Sequence, residues 1–364
     1  MSRTRIIATA IMILIAVALA RADVGDRLKQ AEAHTNDKNY EQAIAIYDEI
    51  LADDPENMDA LIGRCVAKRN SGDLQAALDD INRAIELAPD SAVAWRERGI
   101  IFGEAGQFET AVANFEKAIE LDPYFARAYN SLGAAYVYMG KLDRAIHYLN
   151  RAIDLDPDYS DPFLARGSAY MYKNQLDLAV DDFTRTIEMN PDEFMAYTNR
   201  AGIYVAMDRL DEAFADLEKA MELDPEFEMV WINRGAAYLE SGDMQKALDD
   251  FNHALKLAPD HPLALHNRGY TYYLMGEYAA AVADYTASLE AEPNDMEPQI
   301  KRAEAARNLA IKDARQIIEQ EPDSSQAHRA RQLLKLLSAE ESTAETTSKP
   351  EAETTADTTP DTEQ

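Results

Sequence analysis

Prolines fall at residues 55, 89, 123, 157, 191, 225, 259 and 293, each 34 positions after the last. A single globular core imposes no such period. The chain must be one small unit copied along its length, each copy resting mainly on its neighbours. Rows of 34 residues beginning at 24, 58, 92, 126, 160, 194, 228 and 262 give eight complete units. Every row carries two stretches with apolar residues three and four apart, the mark of amphipathic helices. The proline that follows the second stretch stops it.

The residues between the two stretches agree. Gly72, Gly106, Gly140, Asn174, Asp208, Gly242 and Gly276 align there, with Asn39 nearby in the first row. These three residue types tolerate a left-handed backbone, so the position reads as a helix cap inside a hairpin. Small residues sit where helices must approach. Gly99, Gly133, Gly167, Gly235 and Gly269 lie in first helices, and alanines at 43, 77, 111, 145, 179, 213, 247 and 281 in second helices. A helical glycine costs up to about 1 kcal/mol relative to alanine, so close packing is the expected compensation.

Trp95, Gly99, Phe102, Ala111, Phe115, Ala118 and Pro123 stand in one row. Tyr129, Gly133, Tyr136, Ala145, Leu149, Ala152 and Pro157 stand in the next, and the row beginning at 228 repeats the pattern. Over roughly residues 24–339 the chain resembles the tetratricopeptide repeat. That resemblance implies an all-α, right-handed superhelical solenoid of antiparallel helix hairpins, with the first helices lining a concave groove. It also implies a non-enzymatic scaffold or adaptor holding a polypeptide partner there. In the family the groove positions of a row include the second, fifth, sixth, ninth, twelfth and thirteenth. The sixth holds Asn199, Asn233 and Asn267, similar to the asparagine ladders that grip polypeptide backbone in some members. One amide offers donors and an acceptor together. The ladder is incomplete, since Gly63, Glu97, Ser131 and Ala165 precede it. Tyr138 and Tyr172 share the thirteenth position of adjacent rows, and Tyr270 and Tyr273 lie near His266; all five are candidate contact residues.

An arginine ladder runs beside these. The seventh position holds Arg64, Arg98, Leu132, Arg166, Arg200, Arg234 and Arg268, and the twenty-third Asp80, Asn114, Tyr148, Asp182, Asp216, Asp250 and Asp284. Where arginine becomes leucine, the partner becomes tyrosine. The joint switch predicts a contact between the two helices of each hairpin, so the arginines are read as structural rather than ligand-binding.

The ends differ from the array. Arg3 and Arg5 precede an apolar run from Ile6 to Ala20, with Ala18-Leu19-Ala20 and Ala20-Arg21-Ala22 behind it. Such a run is short for a bilayer and reads as a cleaved export signal (residues 1–22) or as an uncleaved anchor. The expected location is the periplasm or outside, or the inner membrane facing the periplasm. Residues 24–295 form the eight units and 296–339 a degenerate repeat, either a shortened hairpin or a long bent helix, with a capping helix. Residues 340–364, nearly free of large apolar side chains, read as a disordered acidic tail. The arginines of the capping segment are a second, small candidate docking patch.

The formal net charge of −30 argues against nucleic acid and anionic lipid as partners and favours a basic or neutral one. The lone Cys65 excludes an internal disulfide. The six histidines are scattered without metal-ligand spacing, and no glycine-rich phosphate loop occurs, so no enzyme activity, cofactor or metal is expected. Two other roles stay open: a homo-oligomeric assembly unit, and a binder of a carbohydrate or cell-wall polymer.

Overall fold

The computed structural model describes residues 23–347, all of them in helices or the short connections between helices. The expected export segment and residues 348–364 of the expected tail lie outside that range. The chain divides into two compact units, one ending at Ile203 and one starting at Tyr204. In the first, α1 (residues 23–36) precedes α2 (Tyr40–Asp53). Then come α3 (Met58–Asn70) with α4 (Leu74–Leu87), α5 (Ala92–Glu104) with α6 (Phe108–Leu121), and α7 (Ala126–Tyr138) with α8 (Leu142–Leu155). Next are α9 (Asp161–Tyr172) with α10 (Leu176–Met189), and the unit boundary falls near the end of α11 (Phe194–Ala206). The second unit holds α12 (Leu210–Leu223), α13 (Glu228–Glu240) with α14 (Met244–Leu257), and α15 (Pro262–Leu274) with α16 (Tyr278–Ala291). It closes with α17 (Met296–Gln320) and α18 (Ser325–Thr347). Within each unit, successive helices pack as hairpins and each hairpin packs on the next. The fold is an all-α repeat solenoid.

Local chemistry explains the spacing. Each 34-residue proline sits two residues past the end of a second helix, where it removes a donor the helix no longer needs. The residue before it often closes an Asx turn. Asp122 Oδ1 accepts the Tyr124 N–H at 3.0 Å and Asp224 Oδ1 that of Glu226 at 3.0 Å. The indoles of Trp95 and Trp231 donate to the carbonyls of Pro89 and Pro225 at 2.8 and 2.9 Å, pinning the following first helix to that turn. All eight aligned alanines of the second helices are fully buried. An added Cβ on Gly133 would stand 2.5 Å from Leu149 Cγ, and on Gly167 2.8 Å from Phe183 Cε1. The glycines therefore make room for the large side chain of the partner helix.

The seven aligned turn residues all have positive φ. In the first row the left-handed residue is Lys38 (φ 60°), and Asn39 has φ −86°. Register decides this. Lys38 occupies the same row position as Gly72, and its N–H reaches the Thr35 carbonyl at 3.1 Å while that of Asn39 reaches His34 at 2.8 Å. A side chain there costs roughly 1 kcal/mol. Lys38→Gly should therefore raise the midpoint of thermal unfolding of the first hairpins, and an unchanged or lowered midpoint would contradict the assignment.

The arginine ladder is a clamp with three contacts rather than two. Arg64, Arg166, Arg234 and Arg268 each donate Nε and Nη2 to both carboxylate oxygens of Asp80, Asp182, Asp250 and Asp284, at 2.6–2.8 Å. Arg98 donates Nε to Asn114 at 2.7 Å. In addition, Nη1 reaches back to the preceding hairpin. Its acceptors are Asp48 from Arg64, Asn82 from Arg98, Asn150 from Arg166, Thr184 from Arg200 and Asn252 from Arg268, at 2.5–3.2 Å. Where Leu132 replaces the arginine it is fully buried in an apolar cluster that Tyr148 packs against, with the Tyr148 ring stacked on Tyr136 at 5.6 Å.

At the far end, residues 296–320 form one helix of 25 residues. No glycine or turn residue interrupts it, so the long-helix alternative is the one adopted. Ala327 and Ala330 of α18 are buried, as a terminal helix covering an apolar face requires. Helix α18 continues to Thr347, past the expected start of the tail at residue 340. Alanines and glutamates between 339 and 345 favour helix and extend it.

Candidate interaction groove

In the first unit, α7, α9 and α11 border a groove of about 770 Å³. Tyr138 ends α7 and Tyr172 ends α9, the residues just before the turn of each hairpin. This places both rings on one wall, and they are 77% and 66% exposed. The Tyr138 ring stacks on Phe108 at 5.6 Å with an interplanar angle of 10°, so its outer face is presented flat. Asn199, from α11, lines the same groove, and its amide makes no hydrogen bond among the described residues. Three of the residues singled out from the sequence thus share one site.

The groove also holds residues the sequence reading did not select. Asp161 and Glu193 contribute carboxylates, Leu164 and Met195 apolar surface, and Asn130 and Ser168 polar atoms. Asn130 Nδ2 donates to the Tyr159 hydroxyl at 3.1 Å, and its Oδ1 is buried without a partner among the described residues. Burial pushes the Glu193 carboxyl up, against the Met195 backbone contact that lowers it, and nearby Asp161 raises it further. Two acids in one partly dehydrated groove favour a cation between them.

The remaining candidates are placed differently. Asn233 and Asn267 lie half-buried in the second unit, on α13 and α15. Tyr270 and Tyr273 pack against the cluster of Ala281, Tyr285 and Ala305, and the Tyr273 hydroxyl accepts from Asn308 Nδ2 at 3.0 Å. His266 lies 5.6 Å from the Tyr285 ring, and burial holds its imidazole below the usual histidine range. The tyrosine contacts join repeat eight to α17, while that of His266 lies within the hairpin. The gap in the asparagine ladder also has a structural cause. Arg96 bonds Glu97 at 2.6 Å and the Ser131 hydroxyl at 3.1 Å, so both ladder positions are engaged within the chain. Cys65 is buried, and desolvation pushes its thiol up to about 12, so it stays protonated at neutral pH. Among the described residues, no group of three or more histidine, cysteine or acidic side chains is placed to hold a metal ion.

Models of the family described as tetratricopeptide repeat match residues 35–96, 69–131, 126–159, 164–226, 203–262 and 235–310. The chain belongs to the tetratricopeptide repeat family. The general role of that family is protein–protein interaction. Among solved structures, a chain of the "APC/C hetero-tetramer Cut9-Hcn1" is similar at 20% identity and TM-score 0.65, over 73% of this chain and 52% of that one. A tetratricopeptide repeat protein from Parabacteroides merdae matches at 18% identity and TM-score 0.52, over 68% of this chain and 98% of that one. The pilF protein of Pseudomonas aeruginosa matches at 18% identity and TM-score 0.50, over 57% and 94%. These likenesses show the fold. The present tetratricopeptide-repeat chain spans about half the length of the first of them. No curated protein matches it.

Proposed function

We propose that the groove of α7, α9 and α11 holds an extended polypeptide segment carrying basic and apolar side chains. One observation supports this above the rest: exposed Tyr138 and Tyr172, the carboxylates of Asp161 and Glu193, and the unengaged amide of Asn199 all line a single groove. The amide offers a donor and an acceptor to a peptide bond. The tyrosine faces give rigid area for apolar groups and attract a cation. The acids balance a lysine or arginine of the partner, and the net charge of −30 steers such a segment toward the protein. The apolar run from Ile6 to Ala20 behind Arg3 and Arg5 supports an exported adaptor that meets its partner in the periplasm or outside the cell. Among the described residues, no helix is long and apolar enough to cross a membrane.

The test is recovery of partners from the cell-envelope fraction with the full chain as bait. A Tyr138→Ala, Tyr172→Ala, Asn199→Ala variant should recover its main protein partner about tenfold less well, as loss of contact aromatics usually brings. Asp161→Asn with Glu193→Gln should weaken recovery chiefly at low salt. Equal recovery by wild type and the triple variant sinks the groove reading. Recovery of glycan in place of protein sinks the polypeptide reading.

A further inference from the structure

The second unit carries a feature of opposite character. A pocket of about 1150 Å³ opens between the turn of repeat eight, α17 and α18. Among the described residues its lining includes Arg307, Lys312, Arg315 and Lys335 and one carboxylate, Glu319. Four cations around one cavity reverse the sign of a chain whose net charge is −30. Lys312 and Arg315 are exposed and enter no ion pair among the described residues; the Lys312 ammonium donates to the Gly276 carbonyl at 3.1 Å. Met275, Ile311 and Leu334 add apolar surface beside the charges.

We propose that this pocket is the docking site of the chain's own segment 348–364. That segment carries Glu351, Glu353, Asp357, Asp361 and Glu363 against one cation, Lys349, spaced by threonines and alanines small enough for the cavity. Reach is ample. Thr347 lies 12 residues past Lys335, roughly 18 Å along a helix. The 17 residues beyond it span up to about 56 Å when extended, enough to return to the pocket. Tethering raises the local concentration of the segment to the millimolar range, so individually weak ion pairs suffice to keep it bound. Because α18 itself supplies one wall, the segment is also the acidic ligand with the shortest path to the site. Docking neutralises this basic cluster.

A zero-length carbodiimide cross-linker applied to the full-length protein tests this. Cross-links read by mass spectrometry should join Lys312 to the carboxylates of 348–364 in preference to Lys301 on the same helix. They should vanish in Arg315→Glu, which keeps the reactive lysine, and fade at about 1 M salt, where the screening length is near 3 Å. A mixture of isotope-labelled and unlabelled chains should give links within one chain only. Mixed-isotope links would overturn the proposal in favour of a second copy's segment. Cross-links spread evenly over the lysines, or undiminished by Arg315→Glu, would overturn it altogether.

Discussion

Replacing Arg166 with alanine should cost about 3 kcal/mol of stability, among the largest losses any single change outside the apolar core will produce. The guanidinium makes two hydrogen bonds to Asp182 at 2.7 and 2.8 Å and one to Asn150 on the preceding hairpin at 2.5 Å. Its removal strands a buried carboxylate. Burial already pushes the Asp182 carboxyl up, and only Arg166 pulls it back. Without the arginine the folded-state value rises further above the unfolded one. A carboxyl raised in this way destabilises the fold while it is ionised and stops doing so as pH falls through its folded value. The gap between wild type and Arg166→Ala should therefore narrow from pH 7.5 toward pH 5 in urea unfolding. The chain also contains the alternative solution, since repeat four uses Leu132 and Tyr148 at the same two positions. Arg166→Leu with Asp182→Tyr should recover most of the lost stability. Should the double variant be as unstable as Arg166→Ala, the stranded charge is not the cause. Folded Arg166→Ala should bind its partner with unchanged affinity, since the clamp lies outside the groove.

Phe183→Ala should cost about 3–5 kcal/mol, the usual range for a fully buried phenylalanine. Phe183 is among the largest side chains with no exposed surface, and its ring lies where a Cβ on Gly167 would be, 2.8 Å from Cε1. Gly167→Ala alone should therefore destabilise by about 1–3 kcal/mol through overpacking. In the Phe183→Ala background the same methyl enters the space the ring has left. There Gly167→Ala should become neutral or stabilising, because alanine is the better helix residue by up to about 1 kcal/mol. The change of sign, read from denaturant midpoints of the four variants, is the decisive quantity. If Gly167→Ala destabilises equally in both backgrounds, the glycine is required by the backbone and not by the ring.

Period, hairpins, buried alanines and left-handed turns were legible because each repeats at a fixed register, so that eight weak local signals reinforce one another. Lys38 was missed for the complementary reason. Register forces a lysine into a conformation its own propensity disfavours, and propensity alone pointed to Asn39. The two-membered arginine pair was visible through its joint switch to Leu132 and Tyr148. The third acceptor was written in the sequence as well, since Asp48, Asn82, Asn150, Thr184 and Asn252 share one row position. It varies among three residue types, and only their common role as acceptors unites them. The groove was half legible. Tyr138, Tyr172 and Asn199 stood out by type, while Asp161, Met195, Asn130, Leu164 and Ser168 occupy the second, fifth and ninth positions that face a groove in the family. Nothing in their identity marks them until the helices bring them together. Tyr270 and Tyr273 show the reverse, residues of the right type that pack against a cluster reaching α17, and His266 lies against Tyr285 of its own hairpin.

The backward-reaching Nη1 contact has a consequence for how such a chain can change length. Arg64, Arg98, Arg166, Arg200 and Arg268 each take the distal acceptor from a fixed position of whichever row precedes them, 16 residues upstream, while Arg234 turns to the Met221 sulfur, 13 upstream. A recombination event that removes or duplicates a whole row delivers a fresh acceptor at the same offset and strands no guanidinium. An insertion of any other length within the span uncouples a guanidinium from the acceptor behind it. The electrostatics of the joint thus act as a reading frame: genes encoding these arrays can grow and shrink in steps of 34 residues, while intermediate lengths are penalised at the level of folding.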